Sequence, residues 1–257
     1  MAAVTHAHPA SLKSQVSPEE WALRQDLAAA YRLVAHFGWD ELIFTHLSAR
    51  VPGPDHHFLI NPLGLMFDEI TASSLVKIDL RGAKVMDSPY MINPAGFIIH
   101  GAVHEAREDA QCVLHVHTVE GAAVSAQEDG LLPITQDAFL NWGDISYHAY
   151  EGLAVETGEK DRLVADLGET HVMILRNHGL LTVGETVADA FLRLFLLQRA
   201  CMMQIAAQSG GTKLRMLNDA MGEKVAAQGR ASFAAGAALS WAALRRRMDR
   251  LDPSYAE

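Results

Sequence analysis

Three histidines with the spacing of metal ligands are the residues of this chain best suited to chemistry. His115 and His117 flank Val116 at the end of an apolar, partly β-branched run that predicts a strand. Side chains alternate along a strand, so the two imidazoles point to the same face, about 6.5–7 Å apart. Both can then reach one metal ion at roughly 2.0–2.1 Å. The alternative is a pair of packed, hydrogen-bonded histidines that bind no metal. The chain has 13 histidines, so two of them can stand one residue apart by chance.

His178 is the third candidate ligand. It lies in a short polar stretch between two apolar runs, 172–175 and 180–183, which predict buried strands. A polar stretch there is costly to bury without a partner, and Gly179 permits the backbone to approach a ligand closely. Three neutral imidazoles that leave a coordination position open are typical of a catalytic metal site.

The elements that must position these histidines are predicted from hydrophobic period and capping residues. Ser17, Pro18 and Glu20 are typical of a helix start, and Gly38 of its end. Further helices are predicted over 93–104, 118–126, 156–167 and 185–208, and in the alanine-rich C-terminal quarter up to Pro253. Besides the strand that carries His115, short strands are predicted over 44–48, 58–60, 76–80, 171–175 and 180–183.

This order of helices and strands predicts an α/β chain with a sheet between helices. We expect residues 1–16 to form a flexible N-terminal tail and residues 17–210 to form the main domain. Residues 211–257 are expected to be a helical extension packed on that same domain.

The composition limits the classes of partner. The chain has 257 residues, of which 49% are hydrophobic, and its net charge of −10 argues against nucleic acid as the main partner. The longest apolar stretch, 188–207, contains Asp189, Arg193 and Arg199, so no membrane span is predicted. The two cysteines lie in apolar contexts, which is typical of buried thiols in a reducing compartment, and we expect a cytoplasmic protein.

The order of five segments resembles the class II aldolase/adducin family, and the terminal LDPSY at 251–255 resembles its adducin-like bacterial branch. These segments are FTHLS at 44–48, INPLG at 60–64, NPAGFIIH at 93–100, VLHVH at 113–117 and RNHGL at 176–180. The resemblance implies the family fold, a three-layer αβα sandwich with a largely antiparallel central sheet. It covers roughly residues 20 to 208.

The resemblance also implies a site. His115, His117 and His178 match the three metal-binding histidines of the family, whose aldolases bind zinc and use it to stabilise an enediolate. Those enzymes use a glutamate of a Glu-x-x-x-His motif as metal ligand and as acid/base. His100 matches the histidine of that motif, whereas the glutamate position falls on Gly96, which has no side chain.

Further departures concern the phosphate of the aldolase substrates. Pro94-Ala95 replaces a Ser-Ser pair, Leu63-Gly64 replaces Thr-Gly, and the segment 45–48 replaces Gly-Asn-x-Ser. Phosphate recognition needs hydroxyls, backbone donors or positive charge, and most of the side-chain hydroxyls are missing. The sequence therefore argues against a typical sugar-phosphate substrate.

From these observations we predict a metal-dependent lyase that performs aldol-type cleavage or decarboxylation on a small carbonyl or carboxylate substrate. Zn²⁺ is the expected divalent ion, with Fe²⁺ and Mn²⁺ as alternatives. Candidate catalytic residues are His100, Tyr147 and Glu151. The family and the apolar helix at 185–208 favour a homo-oligomer, expected to be a tetramer. Two other functions stay open: a non-haem iron(II) oxygenase acting on an aryl keto-acid, and a non-catalytic adducin-like oligomerisation module.

Overall fold

A seven-stranded sheet is the centre of the fold. The computed structural model describes residues 12–152 and 158–257, and of residues 94 and 95 the backbone alone. The strands run in the order β3-β2-β1-β4-β7-β6-β5. All neighbours are antiparallel except β5 and β6. The strands are β1 (His46–Arg50), β2 (Phe58–Ile60), β3 (Val76–Ile78), β4 (Cys112–Val116), β5 (Ile145–His148), β6 (Val172–Leu175) and β7 (Gly179–Gly184).

Helices cover both faces of this sheet. They are α1 (Pro18–His36), α2 (Pro94–Ala106), α3 (Val119–Ser125), α4 (Gln136–Leu140), α5 (Glu159–Leu167), α6 (Val187–Gln208) and α7 (Asp219–Leu251). On one face, Leu114 and Val116 of β4 belong to a core shared with α1, α6 and α7. On the other face, Val113 belongs to a core shared with α2 and α5. The predicted three-layer sandwich around a largely antiparallel sheet is thus confirmed.

Most of the predicted elements are present. Ser17 caps α1 by accepting a hydrogen bond from the Glu20 amide, and Gly38 follows the helix with a positive φ of 69°. The first strand begins at His46 rather than at residue 44, and the C-terminal quarter forms one helix of 33 residues. The short elements α4 and β5 were not predicted. The expectations for residues 1–11 and 156–157 lie outside the described residues, and the division at residue 210 stays a prediction.

The last residues of the chain fold back onto α1. The backbone amides of Ala72 and Ser73 donate to the carbonyls of Tyr255 and Glu257. The buried Tyr255 hydroxyl donates to Asp249 and accepts from Arg245, which also pairs with Asp26 of α1. Tyr255 is thus committed to the core of its own chain.

Helix α6 is the described helix that is long and apolar enough, by length and composition, to cross a membrane. It packs against β7, α3 and α7, as a core helix does.

Cys112 and Cys201 are free and buried, as predicted. Burial raises the pKa of the Cys201 thiol to about 12 and raises that of Cys112 as well, so neither is a ready nucleophile.

The hydroxyl of Tyr31 fills a gap between β1 and the end of β2. This buried side chain rises from α1, and its oxygen accepts hydrogen bonds from the amides of Leu47 and Asn61, at 2.8 and 3.2 Å. The same hydroxyl donates to the Leu47 carbonyl. One phenol therefore satisfies backbone groups of two strands at the point where they diverge.

Replacing Tyr31 with Phe should lower the free energy of unfolding by about 2–4 kcal/mol, because two buried amides lose their acceptor. Urea denaturation followed by circular dichroism measures this change. The control is Tyr150→Phe, an exposed tyrosine for which we expect a change within about 0.5 kcal/mol. Equal stability of the two variants would contradict the role given to the Tyr31 hydroxyl.

Candidate metal centre

The fold brings the three predicted histidines together. His115 lies in β4, His117 follows that strand directly, and His178 lies in the turn between β6 and β7. Because β4 pairs with β7 in the register Val116 to Leu180, the turn is placed beside the end of β4. One ring nitrogen from each histidine lies within 4.8 Å of the other two. His115 is buried, whereas His117 and His178 are partly exposed, so the cluster opens to solvent on their side.

The turn that carries His178 is held in an uncommon backbone conformation. Asn177 has a φ of 54°, a value that asparagine tolerates better than most residues. Ser125 at the end of α3 holds the turn, since its carbonyl accepts from the Asn177 amide and its hydroxyl oxygen from the His178 amide, both at 3.2 Å. A Cβ at Gly179 would lie 2.5 Å from the Val116 carbonyl oxygen. The expected close approach at this glycine is therefore to β4, not to a ligand.

Hydrogen bonds fix the tautomers of two of these imidazoles. Nδ1 of His115 lies 3.0 Å from the Leu180 carbonyl oxygen, and Nδ1 of His117 lies 2.6 Å from a carboxylate oxygen of Glu41. Because both oxygens are acceptors, Nδ1 carries the proton in each ring and Nε2 carries the lone pair. A histidine that donates to a carboxylate through its far nitrogen is the usual arrangement around protein-bound metals.

The two lone pairs face each other. Nε2 of His115 and Nε2 of His117 are 2.8 Å apart, which is favourable only with a cation between them. Burial, and then the neighbouring His178 and His117, lower the pKa of His115 well below its usual range. Burial and then His117 lower the pKa of His178 to about 4, so protons are poor candidates at neutral pH. These residues fit a divalent metal, which requires neutral imidazoles. Two nitrogens bound to tetrahedral zinc lie roughly 3.3 Å apart, so the Nε2 atoms of His115 and His117 would need to separate only slightly to bind one ion.

A second polar cluster lies on the same face of the sheet, between β1 and α2. Nδ1 of His104 donates to the Ala110 carbonyl, so its Nε2 must accept, and the donor is the hydroxyl of Ser48 at 2.8 Å. With its proton committed, Ser48 accepts from Nδ1 of His100 at 2.7 Å. This leaves the lone pair of His100 on Nε2, an atom that is buried and has no hydrogen-bond partner among the described residues.

His46 lies between the three clustered histidines and the second cluster of His100, His104 and Ser48. It was not predicted as a site residue. It pairs directly with His115 across β1 and β4, so the two side chains share a face of the sheet. Burial and then His117 lower its pKa to about 4. Glu41 and Ser48 were missed as well. The segment 45–48 departs from the family pattern, but the roles of His46 and Ser48 depend on strand pairing that the local sequence does not show.

The other two candidate catalytic residues have partners away from the three histidines. The Tyr147 hydroxyl accepts from the Leu131 amide at 3.1 Å, and the Arg176 guanidinium stacks on its ring at 4.2 Å. Glu151 pairs with Arg162. The aromatic ring that does lie near the cluster is that of the exposed Tyr150, whose centroid is 6.3 Å from that of His178.

The fold is thus an αβα sandwich that carries three imidazoles, arranged so that they could hold a metal ion, at the end of its central strand. The chain belongs to the family described as Class II Aldolase and Adducin N-terminal domain, which matches residues 25–205. A Pseudomonas aeruginosa protein with a provisional class 2 aldolase name is 55% identical over 98% of both chains. An aldolase II superfamily structure from Pseudomonas syringae, 52% identical, superposes with a TM-score of 0.93 and covers 96% of this chain and 100% of that one. Mouse alpha-adducin is 47% identical over 77% of this chain and 27% of its own length.

Removing the Glu41 carboxylate with Glu41→Ala should weaken metal binding about 10- to 100-fold, because Nδ1 of His117 loses the acceptor that orients its ring. Glu41→Gln keeps a neutral acceptor, so we expect an intermediate effect. Competition with a chromophoric zinc chelator gives the dissociation constants. Glu223→Ala, an exposed glutamate on α7, serves as the control. Unchanged affinity in Glu41→Ala would count against this role of Glu41.

The buried His104 should make the metal-free protein less stable in acid. Burial lowers its pKa from 6.5 to about 4. Above pH 6.5 the ring is neutral in both states, whereas between pH 6.5 and 4 only the unfolded chain binds the proton, so the free energy of unfolding decreases as the pH is lowered through this range. His104→Gln should reduce that slope by up to one proton, about 1.4 kcal/mol per pH unit. Urea denaturation at a series of pH values measures it, with the exposed His36→Gln as control; equal slopes in the wild type and His104→Gln would contradict it.

Proposed function

We propose that this protein is a metal-dependent lyase that cleaves or forms a carbon–carbon bond next to the carbonyl or carboxylate of a small, unphosphorylated substrate. The observation that carries the proposal is the convergence of three imidazole nitrogens within 4.8 Å, two of them with lone pairs fixed by their partners. His115, His117 and His178 would hold the ion, and Zn²⁺ is the ion we propose. When bound, the ion supplies a Lewis acid that polarises a substrate oxygen.

The surroundings of the three histidines favour a substrate without a phosphate. The amide of Leu63, in the segment where the family's aldolases carry Thr-Gly, already donates to the Met91 carbonyl at 2.7 Å. Apolar side chains stand exposed next to the site residues: Leu42 follows Glu41 directly, and Val119 lies two residues after His117. Together with Tyr150 these groups suit an apolar or aromatic substrate, or contact with a second subunit.

His100 is the residue we propose for proton transfer. The hydrogen-bond series from Ala110 through His104 and Ser48 leaves its Nε2 with a buried lone pair. Burial and then His46 and His104 lower its pKa well below the usual range, so the ring is neutral at physiological pH and Nε2 keeps its lone pair. A negative charge that forms on a substrate beside Nε2 would favour proton transfer to this atom. Tyr147 and Glu151, with partners elsewhere, are weaker candidates.

The similarity to adducins supports the alternative of a binding module only in part, because it extends over 27% of alpha-adducin. A module that only assembles subunits has no need for imidazole lone pairs that converge at a partly exposed position. The iron(II) oxygenase alternative uses the same ligands, so only the identity of the functional metal separates it from the lyase. We propose a homotetramer as the assembled form.

The test is metal content followed by reaction chemistry. Protein purified without oxygen should contain about one equivalent of transition metal per chain by elemental analysis, and His115→Ala and His178→Ala should lose most of it. His36→Ala, an exposed histidine on α1, should keep it and serves as the matched control.

The metal-loaded protein is then offered phosphorylated and unphosphorylated hydroxy- and keto-acids. We expect an aldehyde, ketone or carbon dioxide to be released from an unphosphorylated acid, without oxygen consumption. Oxygen uptake with iron as the active metal would favour the oxygenase. Protein without metal in the wild type, or cleavage restricted to sugar phosphates, would overturn the proposal.

A further inference from the structure

The place of the missing glutamate is filled by another side chain. Gly96 lies in the first turn of α2, and a Cβ added to it would stand 2.5 Å from Cγ, Nδ1 and Cε1 of His46. Real Cβ atoms essentially never approach heavy atoms closer than 3.0 Å. Residue 96 therefore has no room for a side chain while His46 holds its position, and His46 has room for its ring because residue 96 is glycine.

His46 is held there at a cost. Its Nε2 is buried without a hydrogen-bond partner in the part of the chain that the structure describes, and so is the Oγ1 of the preceding Thr45. Thr45 also has a φ of 65°, which is strained for a β-branched residue. Two neighbouring buried polar atoms without partners, on a strained backbone beside His115, indicate a position that a ligand completes.

We propose that His46 takes over the place of the family's glutamate, and that its Nε2 contacts the oxygen of the water or substrate held at the open coordination position. This inference rests on the metal-dependent function proposed above. His46 is not itself one of the three clustered ligands, although its register places it next to His115 on the same face. It is therefore assigned to the bound ligand rather than to the ion.

The exchange changes the charge of the site. A glutamate at position 96 would add a negative charge beside the ion, whereas the imidazole of His46 is neutral. The site with His46 is thus more positive by one unit, and it favours an anionic ligand that can chelate through two oxygens. A 2-hydroxy- or 2-keto-carboxylate has this chemistry, which narrows the substrate class within the proposed function.

Cobalt(II)-loaded protein offers a readout that does not depend on turnover. Glycolate, the simplest 2-hydroxycarboxylate, is titrated while the visible absorption of the cobalt is recorded. We expect His46→Ala to weaken glycolate binding about 10-fold or more and to change cobalt affinity by less than about 3-fold. His46→Gln, which keeps a polar group, should recover part of the affinity, and His36→Ala should behave like the wild type.

The outcomes separate the two proposals. Failure of the wild type to bind cobalt would remove the metal-dependent function and this inference together. Cobalt binding with unchanged glycolate affinity in both His46 variants would overturn this inference and leave the metal-dependent function standing. A loss of cobalt affinity in His46→Ala as large as in His115→Ala would make His46 a metal ligand and would also overturn it.

A double-variant cycle tests the shared space directly. Gly96→Ala should lower the melting temperature because its methyl group meets the His46 ring, and adding His46→Ala should restore most of the loss. Gly96→Glu combined with His46→Ala should bind cobalt more tightly and glycolate more weakly than His46→Ala alone. A Gly96→Ala variant as stable as the wild type would contradict the steric argument.

Discussion

The pairing of β1 with β4 is the constraint on which the site depends. In this register His46 lies opposite His115 and Ser48 opposite Val113, so the polar side chains of β1 face α2 while Leu47 faces the core under α1 and α6. A shift of one residue would turn each of them to the opposite face of the sheet. On the opposite edge of β1, towards β2, the hydroxyl of Tyr31 bonds the amide and the carbonyl of Leu47, so the packing of α1 also holds β1 in place.

A second common feature is that oxygen acceptors set the tautomers of the imidazoles. Three histidines donate hydrogen bonds from Nδ1–H to oxygen atoms. The acceptors are the backbone carbonyls of Leu180 and Ala110 and the carboxylate of Glu41. The hydroxyl of Ser48 then passes this constraint on to His100. The lone pairs are oriented by the fold before any ligand arrives, so little reorganisation is needed when a cation binds.

The sequence predicted the long elements and the three clustered histidines, because both leave local signals. Helix α1 has a cap and a stop residue, and His115 and His117 share a face through strand alternation alone. The five residues of α4 are too few to show a helical period. Strand β5 contains Ser146 and His148 among its four residues and lacks the continuous apolar run of β2 or β6. The roles of Glu41 and His46 could not be predicted. Glu41 lies 76 residues before His117, and their contact exists only through the tertiary fold.

The shared space of Gly96 and His46 also limits how such a site can have arisen. A histidine at position 46 collides with any side chain at position 96, so an ancestor with the glutamate could not accept the histidine first. From such an ancestor, the glutamate would have to be lost before the imidazole was gained, through an intermediate with a vacant pocket beside the three histidines. Return is obstructed in the same way, since a new glutamate meets the ring. The identities of residues 46 and 96 are therefore coupled, and a change at one position constrains which side chains the other can accept.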